Sequence, residues 1–391
     1  MAFGRYTVSL VEGLRNANYE VDKNLIRKYQ THLASEEKRL FPNGRPPFSL
    51  APPPRADEFI PTAEELAEQV KSNDVAIFTI GRASSEPVDR HVREFYLTEN
   101  ELALLKAVSD AYHSAGKKVI VVLNICSPVE TASWKSLADA IICAFQPGQE
   151  VGHCVTDILI GKVNPSGKLP VTFAINYGDA ASDKNFPFDY EFKMPSFFMG
   201  SGLSIQGENE EPQEVKPVRN IDYTVYEEGI YVGYRYFDTF NKNVSFPFGH
   251  GLSYTTFNYN VINSSVNDDI CSVEVTVTNT GNVSGKEVVQ VYITAPEGGL
   301  KKPSKELKAF GKTRELNPGE SETLTLTWKT MDMSSFNDKS SSWELAKGKY
   351  LWHIATSAAD VKSTVEHKIN SSKKIKVNDV MKPAQKIATI R

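Results

Sequence analysis

Through the first 177 residues, two hydrophobic rhythms alternate. Asp74-Val-Ala-Ile-Phe-Thr-Ile80, Lys118–Ile125 and Ala138–Phe145 are short apolar runs, the right length for strands buried on both faces. Between them lie segments with helical spacing and cap signals. Pro61-Thr62 opens a short helix through Val70. Thr98-Glu-Asn-Glu101 is a capping box ahead of a helix through Leu102, Leu105 and Val108, ended by Gly116. Ser133–Ala138 is short and helix-like, and Glu150–Ile160 is amphipathic and closed by Gly161. Strand, helix, strand at this rhythm predicts an α/β domain over residues 1–177, a mostly parallel sheet in a three-layer α/β/α sandwich.

The texture changes twice after that. Residues 178–256 are rich in Pro, Gly and aromatics without sustained periodicity, and 202–217 is acidic and turn-rich. This stretch is expected to be a connecting segment packed on the α/β domain. From Phe257 to Ile369, Cys271–Asn279, Val288–Thr294, Glu320–Trp328 and Lys349–Ile354 alternate apolar and polar positions, with turn signals at Asn279-Thr-Gly and Asn317-Pro-Gly. Several such strands in one stretch predict an all-β immunoglobulin- or fibronectin III-like sandwich over 257–369. Residues 370–391 are basic and polar, a tail packed on the surface.

Composition narrows the class. The 391 residues carry 44 Lys+Arg against 48 Asp+Glu, a net charge of −4, without the basic excess of a nucleic-acid binder. No apolar run reaches the ~18 residues of a membrane-spanning helix. Nothing at the N-terminus marks export, so the compartment stays open with the cytoplasm favoured. Four cysteines without CxxC spacing read as buried free thiols, not a disulfide framework or zinc site. Four Asn-x-Ser sequons, at Asn243, Asn263, Asn282 and Asn370, carry little weight without a leader.

Ligands of parallel sheets sit beyond the carboxyl ends of the strands, so the loop after Ile80 is the first place to look for chemistry. It holds Glu86 and Asp89 with Arg82, Arg90, His91 and Arg93 close by. A carboxyl there, beside several cations, suits acid–base work. The competing reading is a solvated loop with surface ion pairs, and spacing alone favours it. Nucleophile signals are thin. There is no GxSxG, Gly200-Ser-Gly and Pro165-Ser-Gly are turn sequences, and His153–Cys154 are chain neighbours whose side chains diverge on a helix. No phosphate-cradling glycine motif and no HExxH is present. The aromatic segments Tyr226–Phe237 and Phe246–Tyr254 suit either sugar stacking or packing between domains, with packing favoured.

These residues resemble the C-terminal half of glycoside hydrolase family 3, the β-glucosidase and β-xylosidase family. Gln146-Pro-Gly-Gln-Glu-Val-Gly152 with Asp157–Phe173 is similar to its most recognisable stretch. Tyr226–Phe237 and Phe246–Tyr254 resemble its next two signatures. Glu287–Ile293, Lys305–Phe310 and Leu316–Ser321 resemble its fibronectin type III-like domain. The resemblance implies retaining hydrolysis of terminal β-D-glucosides by two carboxyls, with an Asp nucleophile on a preceding (β/α)8-type barrel. The acid/base is a Glu on a loop reading roughly Ser-Gly-Glu-Gly. Ser84-Ser-Glu86-Pro falls at that place, so the resemblance implies Glu86 as general acid/base, with Ser85 and Pro87 in place of the two glycines. It implies no metal or organic cofactor, and it leaves the substrate-binding residues unknown.

A barrel takes about 250 residues, and the three zones already account for the chain. The chain is therefore expected to be half of such an enzyme, a fragment or one subunit of a split enzyme. Alone it is expected to be essentially inactive until joined by the barrel from the rest of the protein or another subunit. The rival readings are a non-catalytic carbohydrate-binding module on the same fold and an oligomerisation module.

Overall fold

The structure is a computed structural model that describes residues 6–45, 54–83, 90, 92–185, 225–267, 269–380 and 389–390. It divides into a first unit within Met1–Leu159 and a second made of Ile160–Phe186 with Val225–Arg391.

The first unit contains α1 (Leu10–Asn16), α2 (Lys23–Leu40), α3 (Ala63–Ser72), β1 (Val75–Arg82), α4 (Glu99–Ser114), β2 (Lys118–Ile125), β3 (Ala140–Cys143) and α5 (Val151–Leu159). The strands form a parallel sheet in the order β1-β2-β3. The register runs from Val75 opposite Lys118 to Arg82 opposite Ile125, so β1 and β2 end level with one another. Val119, Val121, Leu123 and Ile125 are fully buried or nearly so, and Leu104 and Leu105 of α4 are buried as well. Strand β1 lies at the sheet edge, which leaves Val75 and Thr79 exposed where the apolar run predicts full burial. Both sequence-predicted capping signals are present: the Thr62 and Thr98 hydroxyls accept from Glu65 and Glu101 N–H, and each Glu accepts from its cap residue's N–H.

At the amino edge of the sheet, Asp139 ties α4 to the strands. It accepts from His113 Nε2 at 2.9 Å, Lys118 Nζ at 2.8 Å and Val119 N–H at 2.8 Å, and these donors hold its carboxyl well below the usual range. Ser109 Oγ lies 3.1 Å from His113 Nδ1, which completes a Ser–His–Asp chain. Ser109 is buried, however, so the chain serves as a clamp between elements.

Helix α1 crosses the start of α5 with almost no gap. A Cβ added at Gly152 would lie 2.1 Å from Ser9 O, and one at Gly13 would lie 2.2 Å from Gly152 O. Val8 N–H donates to Gln149 O, and Gly152 N–H donates to Val8 O. Gly152→Ala must separate the two segments, and urea unfolding is expected to show a loss of about 1–3 kcal/mol. An unchanged midpoint would mean that the crossing contributes nothing.

The second unit begins with β4 (Phe173–Ala174), α6 (Tyr234–Thr239) and β5 (Val244–Phe246), β4 pairing with β5. Ten strands follow: β6 (Phe257–Asn267), β7 (Ile270–Asn279), β8 (Val288–Thr294), β9 (Glu306–Lys312), β10 (Ser321–Lys329), β11 (Ser335–Asn337), β12 (Ser342–Leu345), β13 (Gly348–Ala355), β14 (Val361–Ile369) and β15 (Lys373–Lys376). They form antiparallel sheets in the orders β10-β7-β6, β14-β13-β8-β9 and β11-β12-β15. Every second residue of β7 faces inward, which puts Val273, Val275 and Val277 in a common core with Val289, Val291, Trp328, Tyr350 and Trp352. The connecting segment contains α6 and β5, and the terminal stretch contributes β15, which pairs with β12.

Candidate functional site

The carboxyl edge of the parallel sheet is built around Arg82, the last residue of β1. Its side chain is 1% exposed and makes five hydrogen bonds. Two form a bidentate pair with Glu101, each at 3.0 Å. The others reach the carbonyls of Gly81, Glu94 and Tyr96 at 2.7–2.9 Å. Glu101 thus has two duties. It closes the N-terminus of α4 through the capping box, and it neutralises the buried guanidinium at the strand end. Arg55 joins as a second cation on Glu101 from a partly exposed position. Burial, followed by the like charges of Arg55 and Arg90, pushes Arg82 down to about 10, so it stays a cation at neutral pH.

Across the same edge, Arg90 donates to Pro128 O at 2.8 Å and Ser127 O at 3.4 Å in the loop after β2. That loop also supports the return of the chain. Glu130 N–H donates to Phe95 O at 2.7 Å, and its carboxylate accepts from Ser133 N–H and Oγ. Trp134, fully buried, donates Nε1–H to Glu130 O. Arg82 and Arg90 are thus both tied to the loops at this edge of the sheet. Of the residues the sequence singles out there, Glu86, Asp89 and His91 lie outside the described residues. Only Arg82, Arg90 and Arg93 are described, and Arg55 and Glu101 join them. Glu101 was visible in the sequence as a helix cap. Nothing in the spacing foretold its pairing with Arg82, nineteen residues earlier.

The other candidates resolve into structure. His153 sits between Asn16 Nδ2 at 3.0 Å and Glu150 Oε2 at 2.8 Å, tying α1 to α5, and the Tyr6 hydroxyl also bonds Glu150. Cys154 is exposed, contrary to the expectation of a buried thiol, while burial pushes Cys143 up to about 11 and Cys271 up to about 12. Gly200-Ser-Gly lies outside the described residues. Pro165-Ser-Gly belongs to a staple. Asn164 Oδ1 accepts from Ser253 Oγ and Tyr254 N–H, and Lys168 Nζ donates to Gly251 O at 2.8 Å and pairs with Glu287 at 2.9 Å. Gly251 packs so tightly on Gly167 that an added Cβ would sit 2.2 Å from its carbonyl oxygen.

The aromatic segments turn mostly inward within the second unit. Tyr234 stacks on Phe248 at 4.7 Å and meets Tyr292 edge-on, and its hydroxyl accepts from Leu307 N–H at 2.7 Å. Asp238 lies 3.3 Å from Lys305, and burial raises its carboxyl. These rings are internal mortar of that unit. Lys168→Met would strand the buried Glu287 carboxylate, and urea unfolding is expected to lose about 2–3 kcal/mol. Adding Glu287→Gln should recover part of it, and full additivity of the two losses would show that they do not interact.

Two surface depressions offer no rival. One of about 500 Å³ is lined by Arg27, Thr31, Lys38 and other residues of α2 alone. Another of about 270 Å³ lies between Pro247–Leu252 and Thr356–Asp360, where Asp360 is already engaged by Thr356 and Lys362.

Comparison with known proteins also gives two parts, with a boundary later in the chain than the division into compact units. Residues 3–234 match the glycosyl hydrolase family 3 C-terminal domain, and 287–358 match a fibronectin type III-like domain. β-Glucosidase A of Butyrivibrio fibrisolvens is 34% identical over 96% of this chain and 46% of its own length. Thermostable β-glucosidase B of Acetivibrio thermocellus is 34% identical over 84% of the chain and 41% of its own. Among solved structures, β-glucosidase 3B of Thermotoga neapolitana in complex with glucose superposes with a TM-score of 0.83 at 38% identity, over 96% of this chain and 48% of that one. The chain thus spans about half the length of the relatives it matches. With the sandwich, the parallel sheet and both matches in chain order, it belongs to glycosyl hydrolase family 3, carrying the family's C-terminal domain followed by its fibronectin type III-like domain.

Proposed function

We propose that this chain supplies the general acid/base of a retaining glycosidase acting on terminal β-D-glucosides, with Glu86 as the acid/base carboxyl. The observation that carries the reading is the pair of built anchors, Arg82 and Arg90, on either side of the Glu86 segment at the carboxyl edge of a parallel sheet. The similarity to named β-glucosidases supports the substrate class.

Retention requires a second carboxyl about 5–5.5 Å from the first, one attacking the anomeric carbon and the other protonating the leaving oxygen. Neither unit described here is a (β/α)8 barrel, so the nucleophile is assigned to a barrel domain docked on this chain, from the same protein or another subunit. Glu86 protonates the glycosidic oxygen in the first step. In the second it takes a proton from the water that releases the sugar.

Mixing the 391-residue chain with a barrel half of a family 3 β-glucosidase and assaying an aryl β-glucoside tests the proposal. Activity that appears only on mixing, collapses in Glu86→Ala and returns in part with azide supports it. Robust turnover by the chain alone would contradict the need for a barrel. Halves that bind each other but stay inactive with either version would favour the carbohydrate-binding reading, to which Pro87 in place of a glycine also points.

A further inference from the structure

From the geometry we infer that the turn at residues 226–232 is a docking surface for the barrel domain, with Glu228 as its socket for a cationic side chain of that domain. The inference rests on the reading that a barrel docks on this chain.

Five glutamates are buried among the described residues, and four of them are answered. Glu36 pairs with Arg39, Glu101 with Arg82 and Glu287 with Lys168, while Glu130 accepts from Ser133 N–H and Oγ. Glu228 is the exception. It is 7% exposed, and its buried Oε2 has no hydrogen-bond partner among the described residues. A carboxylate shut away from water keeps its charge at low cost only where a counter-ion meets it. The turn that carries it is nonetheless built in advance. Glu227 N–H donates to Val225 O at 2.9 Å, Gly229 N–H to Tyr226 O at 3.2 Å and Tyr231 N–H to Glu228 O at 3.0 Å. Gly229 holds φ at 56°, a left-handed conformation that glycine adopts readily. The buried Tyr231 ring meets Phe240 edge-on at 5.0 Å. Within the same turn, Tyr226, Ile230 and Val232 stand exposed. An apolar rim that excludes water from a central charged contact is the layout of a binding hot spot.

Two features select the occupant. The unanswered charge is negative, so the partner brings a cation, whereas a second copy seated symmetrically on this turn would set Glu228 against Glu228. The chain also spans about half the length of the relatives it matches, which leaves a domain-sized body to cover the rim. The test measures affinity, not turnover, by titrating the 391-residue chain against the barrel half of a family 3 β-glucosidase. Glu228→Gln keeps the shape and removes the charge, and Val232→Ser trims the rim at an exposed position. Each variant is expected to bind about tenfold more weakly than the parent, or worse. In the chain alone, the urea midpoint of Glu228→Gln should stay level or rise, because the charge it removes has no partner there. Phe310→Ser, which trims an exposed ring on β9, should keep the parent affinity.

Parent affinity in a folded Glu228→Gln, or no association of the parent halves, overturns the inference. So does a clear fall in the midpoint of Glu228→Gln alone, which would make Glu228 a structural group. Self-association of the chain that Glu228→Gln abolishes would give the turn to a second copy and overturn it as well. Glu86→Ala should bind the barrel half as the parent does, so the two readings fail separately. Activity on mixing, with Glu228→Gln bound as tightly as the parent, leaves the acid/base reading standing and removes the socket. Weakened binding of Glu228→Gln in a mixture whose parent never turns over does the reverse.

Discussion

In the reconstituted enzyme, Glu86→Ala is expected to cut the hydrolysis of phenyl β-glucoside by about 10²–10⁴-fold, the usual contribution of a positioned acid. The same variant should turn over 2,4-dinitrophenyl β-glucoside nearly as fast as the parent in the first step, because that phenolate leaves without a proton. Its second step needs the base, so a glycosyl-enzyme should accumulate as a burst, and azide, needing no deprotonation, should relieve it. The pH profile carries an independent sign. A general acid must be protonated to act, so kcat/KM on phenyl β-glucoside should fall as pH rises through the acid's pKa, near ~6 in enzymes of this chemistry. Removing Glu86 should abolish that alkaline fall and leave the acidic limb, which belongs to the nucleophile. An alkaline limb that survives in Glu86→Ala would assign the acid to another residue.

The second large effect is on stability. Glu101→Leu is expected to lower the unfolding free energy by about 3–5 kcal/mol, because it leaves the Arg82 guanidinium, 1% exposed, without its counter-charge. Arg55 softens the loss little: at 35% exposure it can turn to water, whereas Arg82 cannot. Loss of the reciprocal cap at Thr98 adds about 1 kcal/mol. Glu101→Gln, which keeps an acceptor and the cap geometry, should fall between the two. Arg82→Met combined with Glu101→Leu should regain part of the loss, since an apolar pair removes the stranded charge. Urea titration of the parent chain and the three variants measures these losses. A loss below about 1 kcal/mol for Glu101→Leu would show that the ion pair only balances its own desolvation.

The elements most legible in the sequence were those set by local rules. The Thr62 cap and the Thr98 box named the starts of α3 and α4 because a cap is decided within four residues. Lys118–Ile125 was predicted with the bounds it has, because a central strand is apolar throughout. β7, β8, β10 and β13 followed from alternation. Helix α2 went unnoticed. Its Asp22 cap precedes a sequence so polar that only one of its residues, Glu36, is buried, and a helix that hides little leaves little periodicity to read. β9 and β14 were missed at the edges of their sheet: β9 shows little alternation, and β14 places the polar Ser363 and His367 at two of its inward positions, so its burial alternates but its hydropathy does not. At the candidate site, the sequence offered a cluster of cations and carboxyls with no geometry. Which cation meets which carboxylate depends on β1 and α4 lying side by side, a long-range fact that no local pattern contains.

The Lys168–Glu287 pair has a consequence for where this protein can be divided. A sequence-based boundary puts the start of the sandwich at Phe257, or at residue 287 where the recognised domain begins. In space, Glu287 is buried against a lysine more than a hundred residues earlier, and Gln290 Nε2–H donates to the carbonyl of Gly249. A piece cut at either boundary carries an anion into its interior and leaves the matching cation behind. The portable module, the smallest length of chain that brings its own counter-ions with it, starts near Ile160. Grafting the sandwich onto another protein would have to begin there, well upstream of its first β-ladder.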